Sequence, residues 1–361
     1  MSKGKKIKII ISIAAISFIQ GLQYCVSPVL GQIQEHYPDV DISLIQMLIT
    51  APALLSILVA LLSGWLVLKI SKKKLLLFGS LVAGVTGFLP RLADSFGLLF
   101  FSRTFYGVGL GLATALNTAV VAEFFEGDER VSVMGIQAAS VGAGMVVVTT
   151  VGGMLGSGGF RNAYFINVIG FISMILIACC LPETGKAQAS ESEKIELNKE
   201  VFKISALGAL EFLFLITFTT NIAMHLSGAL KGNTAVSGNL TGIFSGSQIV
   251  VGLVLGFITK ITKKYTLPVA MLSFSVGGLI LILFPSNLIM LMIGAVFCGF
   301  SQGMFIPQAM VDVAGVVKPV ATAMASACFT CAMNFGQLVS PTILNTVSKV
   351  VFGEVSTTNV Y

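Results

Sequence analysis

The sequence predicts an all-α polytopic membrane protein, and three observations predict it. Of 361 residues, 55% are hydrophobic and 11% are charged, whereas a soluble domain carries about 25% charged residues; a solvated surface cannot be built from so few. Apolar runs long enough to cross a hydrocarbon core about 30 Å thick recur along the whole chain. Between them, lysine and arginine fall mainly on alternate connections, the pattern that sets membrane orientation.

The runs follow in order. The first, about 8–30, has a basic head and is too long for a signal-peptide core of about 7–15 residues, so it is expected to be retained as a span. Further spans are expected near 43–67, 75–93, 97–122, 131–156 and 162–181. A polar stretch, 183–203, reads as a linker. Five more spans are expected near 204–228, 239–259, 266–285, 288–313 and 320–347. The tail VVFGEVSTTNVY resembles the approach to a twelfth span that is missing or incomplete. The expected organisation is therefore a bundle over 1–182, a cytoplasmic linker over 183–203 and a second bundle over 204–361.

With the N-terminus cytoplasmic, the cytoplasmic segments hold seventeen of the 22 basic residues: Lys3 to Lys8, Lys69 to Lys74, Arg130, the linker lysines including Lys186 and Lys194, Lys260 to Lys264, and Lys318. Arg91, Arg161, Lys231 and Lys349 fall outside, and Arg103 lies within a span. The net charge of +6 then faces anionic lipid and calls for no nucleic acid. A cytoplasmic (plasma) membrane, multi-pass and N-terminus inside, is the expected location. The partners are the bilayer, a small-molecule substrate and protons, and the chain is expected to act as a monomer.

An internal repeat divides the chain. Lys69-Ile70-Ser71-Lys72-Lys73 follows the second span and Lys260-Ile261-Thr262-Lys263-Lys264 follows the eighth. Six spans, a charged linker and a second set of spans is the layout of a parallel-repeat transporter.

Ionisable residues inside a membrane are costly and mark function by default. Glu211 lies about eight residues, roughly 12 Å, into the seventh span, close to the midplane. It is read either as a proton-coupling carboxylate or as a structural acid held by neighbouring helices. Arg103 is an interhelical hydrogen-bonding hub or a substrate contact. His225 is expected at the outer interface, and Glu123 and Asp312 at cytoplasmic ends. Uncharged polar residues, Gln20, Gln23 and Tyr24, Asn117, Asn221, Gln308 and Asn334, are expected to face the interior or a cavity. The six cysteines lie in apolar runs; Cys328 and Cys331 form a C-x-x-C with no histidine or further thiol pair nearby, read as helix packing rather than as a metal or redox site. No metal or cofactor is expected. No constellation of nucleophile, base and metal suggests an enzyme, and no phosphate-binding loop suggests ATP as driver.

At several motifs the sequence resembles the major facilitator superfamily. Gly64 to Lys74, GWLVLKISKKK, resembles the family's G-x-L-x-D-R-x-G-R-K-K loop through Gly64, Lys69, Lys72, Lys73 and Lys74, with Leu68 at the aspartate and Ser71 at the second glycine. Arg103, Gly107, Gly109 and Gly111 resemble the fourth-helix signature. Gly144, Gly152 and Gly153 match the outer glycines of the fifth-helix antiporter signature, whose central Gly-Pro is Val148-Thr149 here. Leu181 to Thr184 and Asn334 to Pro341 resemble the ends of the sixth and the body of the eleventh helix. The resemblance implies two six-helix bundles, with the twelfth helix missing, around a cavity lined by the first, fourth, seventh and tenth helices. It also implies a rocker-switch cycle like that of proton-driven drug or sugar exporters. A uniporter or importer of a small polar solute, and a non-transporting sensor or scaffold, remain as alternatives.

Overall fold

The computed structural model describes residues 3–92, 94–184, 197–317 and 321–360. Much of the expected linker, and Lys186, Lys194 and Lys318 with it, lies outside the described residues. Among those residues the chain is helical without strands. The elements are α1 (Lys3–Gly21), a 3-10 segment (Leu22–Val29), α2 (Leu30–His36), α3 (Ile42–Thr50), α4 (Pro52–Lys69), α5 (Lys72–Phe88), α6 (Phe96–Phe124), α7 (Gly127–Gly156), α8 (Phe160–Ala163) and α9 (Val168–Cys180). They continue with α10 (Lys199–Leu215), α11 (Thr217–His225), α12 (Thr234–Thr262), α13 (Thr266–Leu283), α14 (Leu288–Gly315) and α15 (Thr322–Phe352). A helix satisfies every backbone polar group within one segment, which is what a lipid environment requires.

Nine helical stretches among the described residues are long and apolar enough to span a membrane. One of them, Thr234–Leu283, contains both α12 and α13, which the sequence separates as the eighth and ninth spans. The 31-residue α15 occupies the place of the eleventh. Asparagine or serine side chains cap four of the helices: Ser95, Asn198, Asn233 and Asn287 accept from backbone N–H groups opening α6, α10, α12 and α14. Such caps contribute about 1 kcal/mol each. At the other end, α15 stops where Gly353 takes a left-handed conformation, φ 80°, which glycine adopts without a Cβ penalty.

The chain divides into two compact units. Unit 1 comprises Met1–Val29 and Leu48–Ser190; unit 2 comprises Leu30–Met47 and Glu191–Tyr361. Segment 30–47, which the sequence assigns to the first bundle, thus belongs to unit 2. In unit 1, α6 packs on α4 and α5, α1 on α7, and α9 on both α1 and α5. In unit 2, α14 packs on α12 and α13, and α10 on α15. The two interiors repeat atom for atom at one seam. A Cβ on Gly107 would overlap the Pro52 carbonyl oxygen, and one on Gly111 would sit 2.7 Å from that of Ser56. In unit 2 a Cβ on Gly299 would overlap the Phe244 carbonyl oxygen, and one on Gly303 would sit 2.7 Å from that of Gln248. All four pairs keep one offset in sequence, so the repeat extends well beyond the K-I-[ST]-K-K segments. Where α7 packs on the first span, a Cβ on Gly144 would sit 3.2 Å from Phe18 Cα, and one on Gly152 would sit 3.4 Å from the Cys25 carbonyl oxygen. Without a hydrophobic force between helices in lipid, such close backbone contact supplies the packing energy.

Candidate functional site

In unit 1 the site residues gather where the first span stops being an α-helix. From Leu22 to Val29 the backbone is 3-10, and it contains Pro28. A 3-10 ladder bonds three residues back instead of four, which releases the Ile19 carbonyl. A second carbonyl, Leu48, loses its helical donor because Pro52 opens α4 without an N–H. Side chains from α6 and the 3-10 segment answer these vacancies. Tyr106 Oη donates to the Ile19 carbonyl, Arg103 Nε to that of Leu48 at 3.0 Å, Arg103 Nη2 to that of Gln23, and Gln23 Nε2 to that of Ile49 at 3.4 Å. Arg103 Nη1 also approaches Cys25 Sγ at 3.8 Å, and Asn167 Nδ2 reaches the same sulfur at 3.6 Å. Arg103 is fully buried. Among the described residues its guanidinium meets the Leu48 and Gln23 carbonyls, the Cys25 sulfur and the Tyr106 ring. This is the geometry of the hub rather than of a residue presented to a ligand.

Glu211, on α10, is only 3% exposed. Its Oε1 accepts no hydrogen bond from any described residue, and Ser301 of α14 stands beside the carboxylate. A cavity of about 400 Å³ opens on it, lined otherwise by Phe214 of α10 and by Met271, Phe274, Ser275, Leu279 and Ile282 of α13. One carboxylate among apolar walls can take up a proton or hold a cation. The position is informative. In unit 1, the helices equivalent to α10 and α13 are α1 and α5, and α9 fills the groove between them. The corresponding groove in unit 2 is this cavity.

The uncharged polar candidates do not form one cluster. Asn117 donates to Ser17 Oγ at 2.9 Å and is fully buried, and Gln308 donates to Asp312 one turn along α14. Gln20, with a buried and unbonded Nε2, and Tyr24 are half-buried on the first span; Asn334 is half-buried on α15. Asn221 is engaged by Gln46 and lies near Asn345, two residues not singled out in the sequence although they obey the same rule of polar side chains inside apolar runs. His225 is buried, with Nε2 2.8 Å from the Leu281 carbonyl and Nδ1 3.4 Å from Thr357 Oγ1. The helix is interrupted at Ile216, so Glu211 lies on α10 and His225 at the end of α11.

The basic loop is fixed within unit 1. Lys72 Nζ pairs with Glu123 Oε2 at 2.6 Å. Lys73 Nζ donates to the Ala178 and Leu181 carbonyls at 2.9 and 2.6 Å, capping the C-terminus of α9, where a cation is favoured by the helix dipole. The Lys73 backbone N–H donates to Thr184 Oγ1, and Ser71 Oγ donates to Glu183. Lys69 lies over the Trp65 ring at 4.0 Å, Lys74 is exposed, and a Cβ on Gly64 would meet nothing. Neutralising Lys72, Lys73 and Lys74 together to Gln is expected to cut solute flux about tenfold while membrane-inserted yield falls by about twofold or less, since exposed pairs contribute about 0–1 kcal/mol each. Unchanged flux assigns the three lysines to orientation alone.

A repeated helical unit, apolar spans and polar groups buried at their centres define a membrane transport protein. The chain belongs to the Major Facilitator Superfamily, whose model matches residues 11–226 and 204–353. Among solved structures it resembles a bacterial homolog of the human lysosomal transporter Spinster in an inward-facing, unoccupied conformation, with TM-score 0.77 and 14% identity over 98% of this chain and 84% of that one. It also resembles the nucleoside transporter NupG (D323A mutant), with TM-score 0.77 and 16% identity over 98% of this chain and 95% of that one. Among curated proteins it is 29% identical to the riboflavin transporter RibZ of Clostridioides difficile (strain 630) across 40% of this chain and 32% of RibZ. It is 25% identical to the multidrug transporter AQR1 of Candida glabrata across 44% of this chain and 27% of AQR1. The matched stretch is about a third or less of those relatives' length.

Proposed function

We propose that this protein is a secondary active transporter that exports a small solute by alternating access, with proton binding at Glu211 as the coupling step. Glu211 carries the proposal: an intramembrane carboxylate, buried, with one oxygen unbonded and a cavity against it. Arg103 serves as the hub of unit 1, and the basic loop acts at the cytoplasmic gate. The protein resides in the cytoplasmic membrane as a monomer with its N-terminus inside. A second reading, facilitated movement of a polar heteroaromatic solute without protons, draws on the likeness to the nucleoside transporter NupG and the riboflavin transporter RibZ.

The test begins with a solute panel screened for thermal stabilisation of the purified chain, because a ligand binding only the folded state stabilises by mass action. Stabilising solutes are then followed in proteoliposomes. Saturable, protein-dependent flux is expected for at least one. Flux indistinguishable from that of empty liposomes for every stabilising solute contradicts a transport function.

A further inference from the structure

The K-I-[ST]-K-K segment occurs once in each unit, and the two copies differ in what they hold. In unit 1, Lys72 pairs with Glu123, and Lys73 caps the carbonyls that end α9. At the offset of the glycine seams, Trp65 corresponds to Phe257, and Glu123 corresponds to Gly315, which has no side chain to answer a cation. The groove that α9 fills in unit 1 is a cavity in unit 2, so no counterpart of α9 lies there to be capped. Lys260, Lys263 and Lys264 are all exposed, and among the described residues they meet no carboxylate. Lys264 Nζ lies over the ring of its neighbour Tyr265, 5.1 Å from the centroid.

The turn that carries these lysines closes without them. Lys263 has φ 49°, a left-handed conformation uncommon for a residue with a Cβ. The buried Thr266 donates to the Lys263 carbonyl at 2.8 Å and lies 2.6 Å from Thr262 Oγ1. Three like charges are therefore left close together. They repel one another, and an anion relieves that repulsion. Beside them, Val250, Leu253, Phe257 and Ile261 of α12 are each more than half exposed and recur at steps of three or four residues, so they form one stripe. At 1.5 Å per residue the stripe is about 16 Å long, close to half of a hydrocarbon core about 30 Å thick. An apolar stripe one leaflet deep, ending at three cations and an exposed tyrosine, matches a phospholipid with an anionic headgroup in both length and charge.

We propose that Lys260, Lys263 and Lys264 hold the phosphate of an anionic phospholipid whose acyl chain lies along the α12 stripe. Unit 2 thereby takes from the bilayer the counter-charge that unit 1 takes from Glu123 and the end of α9. This is one site of fixed place, beyond the general attraction of a basic protein face to anionic lipid. It depends on the chain spanning a membrane and on nothing about its solute or its coupling.

The test reads lipid preference at the two copies separately. The chain has a single tryptophan, Trp65, so the parent reports on the unit 1 copy. Trp65→Phe combined with Phe257→Trp reports on the unit 2 copy. The full chain in phosphatidylcholine bilayers is titrated with phosphatidylglycerol carrying brominated chains, which quench tryptophan fluorescence on contact. Brominated phosphatidylcholine is the reference. The preference for phosphatidylglycerol is expected to be about tenfold or more in the Phe257→Trp protein and about twofold or less at Trp65. Lys260→Gln, Lys263→Gln and Lys264→Gln together are expected to bring the former to about twofold or less, with quenching by brominated phosphatidylcholine unchanged. Where that triple variant does not insert, Lys263→Gln alone decides, with a loss of about fivefold expected. Equal preference at the two copies, or a preference that survives the substitutions, overturns the site. Inorganic phosphate is compared with chloride at equal ionic strength as a further arm. No displacement of phosphatidylglycerol is expected; displacement assigns the lysines to a soluble phosphate group and overturns the lipid occupant.

Discussion

Glu211→Gln should abolish gradient-driven accumulation while leaving substrate exchange at equal pH intact. The substitution keeps the shape and the hydrogen-bonding capacity of the side chain beside Ser301 and removes its ability to titrate. If one proton moves per solute, a pH difference of one unit sustains about tenfold accumulation, because tenfold in concentration is about 1.4 kcal/mol. The variant should reach a ratio of about one under the same gradient. Exchange should survive because it needs alternating access and needs no net proton flow. Wild-type accumulation by the variant removes Glu211 from coupling and leaves it as the acid of the groove between α10 and α13. Loss of both accumulation and exchange, with the protein still folded, also argues against coupling and for a direct role in binding.

Arg103→Ala should cost about 3–5 kcal/mol of stability, the range of a large-to-small change that also leaves buried acceptors unpaired. The Leu48 and Gln23 carbonyls lose their donors, and Pro28 and Pro52 prevent the backbone from re-forming a regular ladder there. Thermal unfolding in detergent should show a large drop in midpoint. Arg103→Lys should recover only part of it, since an ammonium has no planar fork to reach two carbonyls in different directions. A stable Arg103→Ala protein that has lost ligand binding would instead make Arg103 a substrate contact.

The two residues differ in how far the sequence disclosed them. Glu211 was legible because a carboxylate among apolar residues stands out at any spacing, and its depth follows from counting along a helix. What it faces was not legible: the cavity wall comes from α13, far along the chain, and its shape depends on which grooves are filled. Arg103 was legible as either a hub or a substrate contact, but its partners were not, since backbone carbonyls leave no mark in a residue pattern. They are exposed by Pro52 and by the change to 3-10 geometry at Leu22. The spans themselves were read from apolar run length, which lipid thickness fixes. The breaks inside them, at Leu22 and Ile216, were not, because the polar residues there, such as Gln20, Gln23, Thr217 and Asn221, are too scattered to interrupt a run of span length. Segment 30–47 shows the same limit at larger scale. Its sequence is the end of one span and the start of the next, and nothing local says that it packs in unit 2. Gln46 acquires its partners only when Asn221 and Asn345 are brought to it.

The claim on which most depends is that proton movement drives solute movement through this chain. The direct measurement is accumulation of a stabilising solute by proteoliposomes under an imposed pH gradient, with and without a protonophore. The account predicts accumulation that the gradient drives and the protonophore collapses, down to the level set by equilibration alone. Solute that equilibrates at the same rate and to the same ratio with or without the gradient would contradict it.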